Sequence, residues 1–72
     1  MENKYDTVIK PALNEIGRHL SAQDPSVLKA AIDKAADLGA TPNDIVSAVG
    51  GRERWNEYIR RFKKAGLIKR GR

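Results

Sequence analysis

Arg52, Asn56 and Arg60 stand four residues apart toward the end of the chain, with Arg54, Arg61, Lys63 and Lys64 set among them. Their types suit one chemistry. A guanidinium presents a planar fork of donors that matches the edge of guanine, and an asparagine amide offers the donor and acceptor that adenine requires. Lysine and arginine beside phosphates neutralise them and release their counterions, the sequence-independent part of nucleic-acid affinity. By type and side, Arg52, Asn56 and Arg60 are the candidates for reading bases. Lys63, Lys64, Lys69, Arg70 and Arg72 are better suited to phosphates, and Arg54 and Arg61 add charge to the same segment. Thr41, with the N–H groups that open a helix beside it, could hold one more phosphate.

The charge is unevenly spread. Residues 52–72 carry nine Lys/Arg against two Asp/Glu, or +7, whereas residues 1–51 carry five against seven, or −2, for a total of +5. A basic helix is ordinarily only a solvated surface, and Glu53 and Glu57 have the spacing to pair with Arg60 or Arg61. Indifferent surface composition would not segregate charge so sharply, which favours a face built for a polyanion.

Other chemistries lack their residues. His19 is the only histidine, has no second ligand-type residue at metal spacing, and suits a structural or solvated role. There is no cysteine. No glycine-rich phosphate loop opens a helix after a strand, and the carboxylates are scattered over helix exteriors. The expectation is a protein that is not an enzyme and uses no cofactor or metal. No apolar run approaches the roughly 18 residues of a membrane span and no leader pattern opens the chain, so no membrane partner is expected and the chain is assigned to the cytoplasm, with the nucleoid.

Those side chains need a scaffold. Seventy-two residues make one domain, and nine of its twenty-nine apolar residues are alanine, so the core is thin and its helices can approach closely. Tyr5, Val8, Ile9, Ala12, Leu13, Ile16 and Leu20 recur at helical intervals and predict a helix over roughly 4–21. Pro11 lies inside it, so either regular helix begins near Thr7 or the helix kinks. Asp24 and Pro25 are start signals for a helix over 25–38 that Gly39 stops. Thr41, Pro42 and Asp44 form a capping-box pattern ahead of a short helix over 42–49, ended by Gly50 and Gly51. Over 52–65, Trp55, Tyr58, Ile59 and Phe62 fall within an arc of about 100°. On this reading Trp55, Ile59 and Phe62 are buried. Tyr58 sits at the edge of the stripe, packed, with a hydroxyl that could reach a phosphate. Gly66 breaks the helix and Leu67 makes the apolar contact of a glycine cap.

The stretch "TPNDIVSAVGGRERWNEYIRRFKKAGLIKR", about thirty residues, resembles the helix-turn-helix portion of winged-helix regulators such as the catabolite activator and MarR groups. Thr41 matches the cap and Ile45 and Val49 the apolar pair. Gly50 matches the turn, and Gly66, Leu67 and Ile68 the exit. The turn is about one residue shorter than the family's, and only Ile68 to Arg72 follow the exit, too few for a wing's return strand. The Lys69, Arg70 and Arg72 tail could take a similar role. The fold class expected is all-α, a small four-helix domain containing a helix-turn-helix unit. The resemblance implies a double-stranded DNA partner and a regulator or accessory factor of transcription. A homodimer or multimer is expected through the apolar stripe of the first helix, because one small module offers limited affinity. The rivals are an RNA or general polyanion binder, and a module whose basic face docks on an acidic protein.

Overall fold

The computed structural model describes residues 3–68. It is a small all-α domain of four helices, with no strand among the described residues. A π-helical turn, Tyr5–Ile9, leads into α1 (Lys10–Arg18). Then follow α2 (Pro25–Leu38), α3 (Pro42–Val49) and α4 (Arg52–Lys64). Helix α1 packs on α2 and α3, while α4 packs on α3 and α2.

Pro11 takes a course other than the two expected. Its ring would crowd the carbonyl of Thr7 and it has no N–H to offer. The preceding turn widens to π geometry, in which the Lys10 N–H donates to the Tyr5 carbonyl, and the helix runs on without restarting at Thr7. A single π turn inside an α-helix inserts one residue and eases such a conflict. The first helix also ends at Arg18, three residues short of the expected 21. His19 closes it with an N–H to the Ile16 carbonyl at 3.0 Å, and a further turn bonds Ala22 N–H to the His19 carbonyl. This bend leaves the Leu20 carbonyl outside any helix ladder, where the Tyr58 hydroxyl donates to it at 3.3 Å.

The start and stop signals behave as their chemistry dictates. The Asp24 carboxylate accepts from the Ser26 N–H at 2.9 Å and from its hydroxyl at 2.8 Å. These two donors, the backbone one foremost, hold the Asp24 carboxyl below its ordinary value. Helix α3 opens with a complete capping box and closes on Gly50, and α2 closes on Gly39. At the end of α4, Leu67 N–H bonds the Phe62 carbonyl at 2.8 Å and Gly66 N–H bonds that of Lys63 at 3.1 Å. Leu67 then lies against the core, as a glycine-terminated helix favours.

Ile16, Val49 and Phe62, from three different helices, are the largest fully buried side chains. Ala31 and Ala35 line the buried face of α2, and their small side chains let the neighbouring helices approach. The stripe of the first helix is largely consumed here: Ile9, Ala12 and Ile16 are buried, and Leu13 and Leu20 pack on the same core. Only Tyr5 and Val27 remain as large exposed apolar residues. The stripe on which self-association was expected therefore faces inward.

Candidate nucleic-acid interface

Gly50 and Gly51 alone join α3 to α4. Both have positive φ, 107° and 116°. Gly50 closes α3 with its N–H on the Ser47 carbonyl, and the Gly51 N–H reaches back to that of Val46 at 3.0 Å. Gly51 combines its φ with a ψ of 174°, a region open essentially to glycine alone. Its carbonyl accepts the Trp55 N–H at 2.9 Å, so the first turn of α4 forms at once. Two glycines thus reverse the chain in the least length and set α4 directly against α3.

Burial fixes which way α4 faces. Phe62 is 1% exposed and Tyr58 9%, whereas Trp55 and Ile59 are half-buried. The buried face is therefore displaced toward Tyr58 from the Trp55–Ile59–Phe62 stripe expected. The cause is the Leu20 carbonyl, which accepts from Tyr58 and turns that edge inward. Tyr58 is accordingly a packing residue whose hydroxyl is engaged. Trp55 covers the groove between α2 and α4 with Ile59, beside Ile32.

On the remaining surface of the helix Arg52, Arg54, Asn56, Arg60, Arg61, Lys63 and Lys64 are all exposed. Among the described residues none of these cations has a carboxylate within 4.0 Å, although Glu53 and Glu57 share the helix. The ion pairs lie elsewhere, Lys29 with Asp33 at 2.6 Å and His19 with Glu15 at 3.5 Å. The Arg61 guanidinium stands 5.6 Å from the centre of the Tyr58 ring, within reach of a cation–π attraction. Arg61 is thereby drawn toward the cleft beside Tyr58, a placement the helical wheel alone does not specify.

Thr41 is occupied differently. Its Oγ accepts the Asp44 N–H at 3.1 Å, and the Asp44 carboxylate accepts the Thr41 N–H at 3.2 Å. A phosphate at that helix end would meet the Asp44 carboxylate, so the capping role is the one its geometry serves. Lys69, Arg70 and Arg72 lie outside the described residues. No group of metal-binding side chains gathers among the described residues, and no described helix is long and apolar enough to cross a membrane. Comparison with protein-family models, curated proteins and solved structures finds no match to the chain.

Proposed function

We propose that α3, Gly50–Gly51 and α4 act as a helix-turn-helix and that the protein binds double-stranded DNA through the outward side of α4. The observation that carries this reading is a rigid helix whose Tyr58 and Phe62 are buried while its six cations are exposed and unpaired. Such a surface places positive charge along one rod, which is the requirement for tracking a line of phosphates. Arg52, Asn56 and Arg60 are assigned to base edges, with Lys63 and Lys64 to phosphates. Arg54 stands on the other flank of the helix from Arg52, by the 100° rule, so one groove does not engage every cation. The assignment to a regulator or accessory factor of transcription follows from this mode of binding. A dimer would raise affinity, but it must use a surface other than the buried stripe of the first helix.

Competition separates this reading from its rivals. Fluorescence anisotropy with duplex DNA, duplex RNA and single strands, repeated across salt, is expected to rank duplex DNA first with strong salt dependence. Absence of binding to all three at low salt would overturn it in favour of an acidic protein partner. Preference for RNA would transfer the basic face to the polyanion rival.

A further inference from the structure

A cleft of about 330 Å³ opens between the α1–α2 connection and α4. Its floor is apolar, built from Leu28, Tyr58 and Phe62, and Leu20 forms one wall. Arg61 and Lys64 stand at its rim, and no carboxylate lines it. The other clefts differ in this respect. Glu15 accompanies Lys34 in one, Asp44 accompanies Lys10 in another, and Asp33 accompanies Lys29 beside Trp55. Only the first of these four combines an apolar body with uncompensated positive charge.

We infer that this cleft is a binding site for a small amphipathic carboxylate, a molecule with a compact apolar or aromatic body and one acid group. The volume lies at the lower end of small-molecule sites, which run from about 300 to 1,000 Å³ and are mostly apolar with a few placed polar groups. The apolar body of the ligand sits over Leu28 and Phe62 against Leu20, and its carboxylate meets Arg61. Arg61 is suited to this by its planar fork, which matches a carboxylate with two parallel bonds, and by its position over the Tyr58 ring. Lys64 adds a second charge without demanding geometry. This site does not rest on the DNA reading, because its ligand is recognised by the cleft and not by the outward side of α4.

The test is an amide-resolved NMR titration of the full chain with 2-naphthoate, compared with its neutral analogue 2-naphthalenemethanol. The expected result is saturable shifts in residues 20–28 and 58–65 for naphthoate, with the neutral analogue at least about ten-fold weaker for want of one charge-assisted pair. In an Arg61→Gln/Lys64→Gln double variant the advantage of the acid should disappear while the neutral compound binds as before. Ala22→Trp, which fills the cleft from its half-buried wall, should abolish binding of both with the spectrum otherwise folded. No saturable shifts, equal binding of the two compounds to the unaltered protein, or shifts centred on the Trp55–Ile59 groove would each overturn the assignment.

Discussion

Replacing Gly51 by alanine adds one methyl group that meets nothing: no atom lies within 4 Å of the position it would occupy. Any change in stability must then come from the backbone. At φ 116° and ψ 174° an alanine is held in a region it rarely enters, at a cost of about 1–3 kcal/mol. Alanine also restricts the unfolded chain, which offsets about 0.4–1 kcal/mol. The net expectation is a loss of about 0.5–2.5 kcal/mol, and about 4–8 °C in Tm for each kcal/mol in a domain of this size. Gly17 supplies the internal control, since it lies in α1 with nothing near its Cβ position and no positive φ. Gly17→Ala should therefore stabilise, by up to about 1 kcal/mol. Both are read by urea and thermal unfolding followed by circular dichroism. If Gly51→Ala proved as stable as the parent while Gly17→Ala behaved as stated, the left-handed connection between α3 and α4 would be refuted.

Phe62→Ala should cost about 3–5 kcal/mol in urea unfolding and Trp55→Ala clearly less, because only the first ring is fully enclosed; the reverse order would show α4 rotated the other way. Thr41→Ala should cost about 1 kcal/mol through loss of the cap yet leave the salt dependence of DNA binding unchanged, and a reduced salt slope would restore Thr41 to the phosphate-binding set. Asp24 has a folded pKa below its ordinary 3.8, so its contribution is complete above that pH and is lost as pH falls through the lowered value. The stability advantage of the parent over Asp24→Asn, which keeps a capping oxygen, should shrink as pH is lowered below about 4 in parallel unfolding curves; an advantage independent of pH would show that the charge plays no part.

The boundaries that could be read from sequence are those set by chemistry within a few residues. Asp24 with Pro25, Thr41 with Pro42 and Asp44, and the glycines at 39, 50 and 66 each satisfy or release backbone groups next to themselves. Three features depend on partners distant in the chain and were not legible. The π turn before Pro11 resolves a conflict for which sequence offered two other answers. The early end of α1 and the rotation of α4 toward Tyr58 share one cause, a hydroxyl meeting a carbonyl 38 residues away. Periodicity identified which residues could be buried on α4 without fixing which edge of the stripe would be deepest. The same limit applies to the site. The exposure of Asn56, Arg60 and Lys64 follows from the helical wheel, whereas the turning of Arg61 toward a cleft depends on where Tyr58 docks.

The central claim is that the outward side of α4 holds duplex DNA, and its most direct test is the salt dependence of binding with and without two of its cations. Arg60 and Lys63 are suitable because both are exposed, neither has a carboxylate partner among the described residues, and neither lines the Leu28–Phe62 cleft. Anisotropy of a labelled duplex should be measured from about 50 to 200 mM salt, a span over which binding that rests on phosphates weakens strongly. For Arg60→Gln/Lys63→Gln the slope of log K against log salt should become shallower by up to about two, near 0.9 for each phosphate no longer neutralised, with an unchanged melting temperature. An undiminished slope in a folded double variant, or no duplex binding by the parent protein at the lowest salt, would contradict the claim.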